Sequence, residues 1–204
     1  MIHRDAPRQH QRGLILFVAL LAVLALTMGA VALGRSLATD IAIGGNLALR
    51  EHATLAATDA VERALAALFE SGAIADTRVD SIGRNYFASR QAGEDARGVP
   101  RVLQSVDLYP SAAPTIDFGE GVVLRHIVER LCIVAGAASG DNCALSPPSV
   151  EAALGTPPPT EPPRTPYYRV TVRADAPGGT AVFVQALLGE EPSHHRLGWR
   201  VLDE

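Results

Sequence analysis

The chain contains 204 residues with a formal net charge of −4, and 48% of them are apolar. This length suits one domain with an appendage rather than two full domains. The 22 carboxylates outnumber the 18 basic residues, all of which are Arg, so a basic nucleic-acid-binding protein is disfavoured. Two Cys cannot build a disulfide-dense miniprotein or a four-Cys zinc site.

An uncharged apolar segment follows a short basic leader. Residues 13–34 carry no charge, and these 22 residues would form a helix of about 33 Å, enough to cross a hydrocarbon core of about 30 Å. Residues 1–13 carry +2, which leaves −6 for the rest. Because positive charge stays cytoplasmic, we expect a single-pass membrane protein with leader 1–13 in the cytoplasm, residues 14–34 in the membrane and residues 35–204 outside. A secretory signal cut after Ala32 is the alternative.

The helix is predicted to continue beyond the membrane as an amphipathic half over residues 35–72. Three apolar residues lie at i, i+4 and i+7, the spacing of one helix face: Val61, Leu65 and Leu68. Gly72 is a plausible stop after Ser71. Two adjacent glycines cost about 1 kcal/mol each in a helix interior, so the pair Gly44-Gly45 predicts a kink or break, with Asn46 as a possible new N-cap.

Residues 73–204 are predicted to form a periplasmic β-rich domain. Strands are expected over residues 102–108 and 121–133, and the Pro-rich residues 147–166 are expected to form an extended surface loop. The clearest pattern is a hairpin in which residues 168–173 alternate, residues 175–179 form the turn and residues 181–185 return. Trp199 and Val201 would belong to a last strand.

Because these strands follow one long helix instead of alternating with helices, the class is α+β with a small antiparallel sheet. Charged side chains in the strands are interpreted as a solvated surface. Glu129 would form a surface ion pair with the nearby Arg125 and Arg130, and Arg169 and Arg173 would face solvent.

No enzyme is expected. Residues 193–195, Ser-His-His, lack a third partner at useful spacing, and the sequence contains neither a Gly-rich phosphate loop nor a credible carboxylate pair. We therefore expect no catalytic residues, no cofactor and no metal.

The two cysteines are predicted to form a disulfide. Cys132 and Cys143 enclose ten residues rich in turn formers, and an exported domain folds in an oxidising compartment. A metal site would need His126 or Asp141 as further ligands, and two soft ligands do not fill a tetrahedral zinc shell. A redox centre would more often have Cys-x-x-Cys spacing.

The start of the apolar segment resembles the type III signal that prepilin peptidase cuts. Gln11-Arg12-Gly13 is a Gly after a short basic leader, directly before the apolar residues. The resemblance implies cleavage after Gly13 and N-methylation of Leu14. Val18 would then be the fifth mature residue, where major pilins usually carry Glu, and this departure suggests a minor or specialised subunit.

Taken in order along the chain, four segments resemble a PilX-type minor pilin of the type IV pilus assembly machinery. They are the Gln-Arg-Gly start, residues 43–47, residues 127–132 and residues 168–185. The resemblance implies a pilin-like fold and a non-catalytic structural subunit. It would prime or cap pilus assembly with other minor pilins and pilus assembly proteins as partners, after processing by prepilin peptidase in the inner membrane.

Two other functions remain open. A K-type minor pseudopilin of type II secretion also lacks the acidic fifth residue, but usually carries a larger inserted helical domain than the residues after Gly72 can accommodate. A single-span periplasmic binding or accessory domain with an uncleaved anchor would belong to a different class.

Overall fold

The computed structural model of the chain describes residues 12–70, 72–146, 164–190 and 195–202. The chain divides into two compact units, Met1–Leu47 and Ala48–Glu204. Helix α1, Arg12–Leu65, belongs to both, and a single π-helical turn, Ala66–Glu70, follows it. The predicted long helix is therefore confirmed.

The predicted break at Gly44-Gly45 is wrong, because α1 continues through both glycines. A Cβ built on either glycine would meet nothing within 4 Å, so no close neighbour demands glycine there. The unfavourable helix propensity of two glycines is therefore too small to interrupt the regular helix on either side of them. Gly72, the predicted stop, has φ +63° just beyond the last turn, a conformation that glycine adopts without strain.

In the first unit, every described residue is helical. All of its large apolar side chains from Leu14 to Leu47 are between 47% and 74% exposed. Within the described residues, α1 with its last turn is the one helix long and apolar enough to cross a membrane, and its most apolar stretch has no buried residue. Such a large exposed apolar surface is unfavourable in water and favours a lipid or protein environment.

The second unit contains a mixed six-stranded sheet. Its strands are β1 Tyr86–Phe87, β2 Ile116–Gly119, β3 Val122–Arg130, β4 Tyr168–Ala176, β5 Thr180–Gly189 and β6 His195–Val201. The order is β1-β3-β4-β5-β6, and β2 also pairs with β3. The α+β class is confirmed, but the sheet is not wholly antiparallel, because β1 runs parallel to β3.

The strand predictions have different outcomes. The strand in residues 121–133, the hairpin and the last strand are confirmed as β3, β4–β5 and β6. Residues 102–108 instead form a short helix, α2 Arg101–Gln104, and a 3₁₀ turn, Val106–Leu108. Pro100 precedes α2, and the Ser105 side chain accepts a hydrogen bond from the Asp107 N–H, so local capping replaces strand pairing. Most of the Pro-rich loop lies outside the described residues.

Apolar side chains cover both faces of the sheet. On one face, the predicted stripe of α1 packs on the strands: Val61 is fully buried, and the Phe69 ring meets Tyr168 edge-on. On the other face, residues 87–109 form a covering layer in which Val99 and Leu103 pack against Ile127 and Phe183. This second layer explains why β3 and β4 are buried on both sides.

Candidate functional sites

The predicted processing residues lie at the start of α1. Gly13, Leu14 and Val18 are all in its first two turns. The Leu14 and Val18 side chains are 69% and 56% exposed and, four residues apart, share one face of the helix. Leader residues 1–11 lie outside the described residues, so the structure describes only the helical side of the predicted cleavage point.

The predicted disulfide between Cys132 and Cys143 is confirmed. Asn142 orders the loop that it closes: its Oδ1 accepts from the Val134 N–H at 3.0 Å, and its Nδ2 donates to the carbonyl of Ala137 at 3.2 Å. The loop is also attached to the segment after α1, because the Gly136 N–H donates to the Arg78 carbonyl at 2.9 Å. The disulfide therefore closes a loop that is also held by hydrogen bonds within itself and by a hydrogen bond to the segment after α1.

Arg130, predicted to be on the surface, is only 3% exposed. Its Nη1 donates to the carbonyls of Gly136, at 2.6 Å, and Thr77, at 3.4 Å, so it joins the disulfide loop to the segment after α1. Its Nε has no hydrogen-bond partner within the described structure. Arg130 thus has a structural role beneath the loop.

Glu129, also predicted to form a surface ion pair, is fully buried. Its Oε2 accepts from Arg169 Nη2 at 2.7 Å and Nε at 2.9 Å, and its Oε1 accepts from the Gln91 N–H at 2.6 Å. Burial raises the pKa of Glu129, although Arg169 and the Gln91 amide oppose that shift. The residues of the covering layer exclude solvent from a strand face that the sequence pattern predicted to be exposed.

Glu94 extends this cluster. It accepts from Arg169 Nη2 at 2.7 Å and from two nitrogens of Arg90 at 2.8 Å. The hydrogen bonds from Arg90, assisted by Arg169, lower the pKa of Glu94 to about 2. The cluster attaches the covering segment to β3 and β4, which is a structural role.

Arg173 is likewise enclosed and does not face solvent. It donates to Asp175, which also accepts from Arg125 at 2.6 Å, and to the carbonyls of Leu103 and Gln104 at the end of α2. A cation at a helix C-terminus satisfies carbonyls that lack partners within the helix. The sheet's charged residues therefore hold the covering layer in place.

His126 lies where β1 and β2 leave a gap on the edge of β3. Both ring nitrogens are 3.3 Å from Asn85 Nδ2, and the Tyr109 hydroxyl is within 3.1 Å of the His126 carbonyl and of Asn85 Oδ1. Burial lowers the pKa of His126 to about 4, which favours the neutral, hydrogen-bond-accepting imidazole, although the residue keeps some solvent exposure. Asn85 has φ +57°, a conformation that Asn tolerates better than most residues.

The described residues place no three His, Cys, Asp or Glu side chains where they could jointly hold a metal ion. His195 begins β6, while Ser193 and His194 lie outside the described residues. His126 and Asp141, the alternative partners considered for the cysteines, are not needed as ligands because the two sulfurs are bonded to each other.

The covering layer is the feature that sequence reasoning missed. One local signal pointed to it: Asp95 accepts from the N–H groups of Arg97 and Val99, a turn typical of Asp. Such a turn identifies a compact loop but does not predict which face of the sheet it covers.

The chain matches no protein-family model, no curated protein and no solved structure.

Proposed function

We propose that this chain is a minor pilin, a non-catalytic structural subunit that primes or caps assembly of a type IV pilus together with other minor pilins. In this proposal, prepilin peptidase cuts between Gly13 and Leu14 on the cytoplasmic side. The apolar half of α1 then holds the subunit in the inner membrane, with the sheet domain in the periplasm.

One observation carries the proposal: within a single helix, the large apolar side chains of the first part are exposed, and side chains of the last part form core. The large apolar side chains from Leu14 to Leu47 are exposed, whereas Ala53, Ala57 and Val61 are fully buried against the sheet. A cleavable secretory signal needs no such continuity with the folded domain. A subunit that leaves the bilayer and packs among other helices needs this stem to remain attached.

The disulfide supports an exported location, because such bonds persist in oxidising compartments such as the periplasm. Val18 supports a specialised subunit over a major one, since no carboxylate is available there to pair with a neighbour's N-terminus. A subunit that lacks a neighbour on one side does not need that charge.

The N-terminus of the protein isolated from the membrane fraction tests the proposal. We expect N-methylated Leu14 by mass spectrometry. Leu33 as first residue would indicate secretion after cleavage, and an intact Met1 would indicate a plain membrane anchor; either result contradicts the proposal. A K-type pseudopilin would share the Leu14 terminus but would co-purify with type II secretion subunits instead of pilus subunits.

The role of Val18 has its own test. Val18→Glu restores the acidic fifth residue, and Val18→Gln is the matched uncharged control. If the missing charge specifies the position in the complex, the Glu variant should change the set of co-purified subunits while the Gln variant should not. If both variants co-purify with the same set of subunits as the parent chain, the missing charge at Val18 does not specify the position of the subunit in the complex.

A further inference from the structure

Among the described strands, β6 forms an open edge of the sheet. Within the described chain, β6 pairs with β5 alone, and β5 in turn pairs with β4. An open edge presents backbone donors and acceptors on which another extended chain can form a strand.

The pairing with β5 identifies the free backbone groups. The Leu202 N–H donates to the Phe183 carbonyl at 2.9 Å. Because successive residues of an antiparallel strand alternate between bonding the neighbour and pointing away, Arg200 also bonds β5, while the N–H and C=O groups of Trp199 and Val201 point outward. These two residues form the regular part of the edge, since the irregular register lies beyond Gly198, towards Arg196.

The side chains of β6 are unusually accessible for a strand. Trp199, the chain's single Trp, is 43% exposed, and so is Leu197. Trp199 lies opposite Ala186, and Val201 lies opposite Val184, so both are on the sheet face that α1 covers. An added strand would extend this apolar face past its present end.

The charge of β6 has one sign. The strand contains His195, Arg196 and Arg200 and no acidic residue. Arg196 meets Glu62 of α1 at 3.0 Å in an exposed ion pair, and Arg200 donates to Gln185 Oε1 at 2.7 Å. Among the described residues, the hydrogen-bond partner of Arg200 is therefore the neutral Gln185, and an acidic residue on the added strand would stand directly beside Arg200.

A second copy of the chain fits this edge poorly. Antiparallel pairing of two β6 strands about Arg200 would place like charges opposite each other. Pairing about Trp199 avoids that clash but places no carboxylate beside Arg200, because β6 contains none.

We propose that the β6 edge binds an extended acidic segment of a partner polypeptide by strand addition, with an apolar residue beside Trp199 and a carboxylate beside Arg200. The identity of that partner as another pilus subunit rests on the proposed function, whereas the edge itself does not. Main-chain hydrogen bonds to Trp199 and Val201 would supply the affinity, and Arg200 would select an acidic strand.

The test uses the full-length chain in detergent micelles and the fluorescence of Trp199. The probe is a blocked heptapeptide that alternates Val with Glu, and the control peptide replaces each Glu with Lys. We expect the Glu peptide to shift the Trp199 emission to shorter wavelength with saturation. The Lys peptide should bind at least tenfold more weakly, and Arg200→Glu should reverse that order.

Two variants at one position isolate the backbone bonds. Val201→Pro removes an outward N–H that β5 does not use, while Val201→Ala trims the same side chain and keeps the N–H. We expect Val201→Pro to weaken binding at least tenfold and Val201→Ala to change it less than threefold. Absence of saturable binding, equal binding of both peptides, or displacement of the peptide by self-association of the chain would overturn the proposal. The mass of the N-terminus tests the proposed function separately, so the two can fail independently.

Discussion

Among the charged residues that the structure describes, Glu129 is the most deeply buried. It is fully buried and faces Arg169, which is itself 11% exposed at its side chain. Removing one member of a buried ion pair leaves the other charge buried without its partner. The resulting destabilisation is larger than the stabilisation that the intact pair provides relative to apolar residues in the same place. The cluster therefore makes the attachment of the covering segment sensitive to single substitutions.

We expect Glu129→Gln to lower the free energy of unfolding by about 2–3 kcal/mol, because Arg169 keeps only Glu94 as an ionic partner. Asp59→Asn is the control: it removes one partner of the exposed Asp59–Arg63 pair on α1 and should cost at most about 0.5 kcal/mol. Urea unfolding of both variants at neutral pH gives the comparison. Equal losses would show that the buried cluster does not hold the covering segment.

The lowered pKa of His126 leads us to expect a loss of stability in mild acid. Its pKa is lowered to about 4 in the folded chain, against about 6.5 in an unfolded one. The contribution of His126 to the free energy of unfolding is therefore complete above the pKa of the unfolded chain. It is lost as the pH falls towards the pKa of the folded chain, because the unfolded chain takes up the proton first. Between pH 7 and pH 5 we expect a loss of about 1–2 kcal/mol, reduced in His126→Gln.

Thermal unfolding at several pH values checks this prediction. The parent chain, measured over the same pH range, is the reference. If His126→Gln retains the full loss between pH 7 and pH 5, the titration responsible belongs to another group.

At the scale of elements, the continuity of α1 has a measurable consequence. Gly44 and Gly45 have no neighbour within 4 Å of an added Cβ, so Gly44→Ala and Gly45→Ala should each stabilise the helix by about 1 kcal/mol. Gly72→Ala should do the opposite, because φ +63° strains any residue with a side chain. Hydrogen exchange of the backbone amides near each site distinguishes stabilisation from destabilisation. Faster exchange after Gly44→Ala would contradict the expected stabilisation of the helix.

The disulfide loop is expected to contribute by restricting the unfolded chain. Its cysteines are 11 residues apart, and the double variant Cys132→Ser/Cys143→Ser should lose about 2–3 kcal/mol. Reductant should destabilise the parent chain by a similar amount and leave the double variant unaffected. A loss below about 1 kcal/mol would mean that Asn142 and Arg130 order the loop without the crosslink.

Elements with strong local patterns could be predicted from the sequence. The apolar stripe of α1 and the alternation in β4 report directly on burial of one face, and the Pro-Gly-Gly turn sets the hairpin. Residues 102–108 could not be assigned in this way, because their apolar residues suit a strand and a short capped helix equally well. The parallel pairing of β1 with β3 depends on contacts 42 residues apart, which no local pattern encodes.

At the scale of the whole molecule, the covering layer explains why the prediction of a solvent-facing charged strand surface is wrong. Arg169 and Arg173 alternate with apolar residues as they would on a solvated face, and Glu129 lies next to the charged Arg130. Residues 87–109 cover that face, and paired charges make the burial possible. Charge alternation in a strand therefore indicates a face with its own partners, and whether those partners are water or protein depends on the tertiary fold.

The proposed function depends most directly on the division of α1 into an exposed apolar part and a buried part. Hydrogen–deuterium exchange of the mature chain in lipid nanodiscs, followed by mass spectrometry, measures both halves at once. We expect strong protection of peptides from residues 14–33 by lipid and of peptides from residues 53–64 by the sheet, with faster exchange between them. Absence of residues 14–33 from the mature chain, or equal exchange in nanodiscs and in detergent-free buffer, would contradict it.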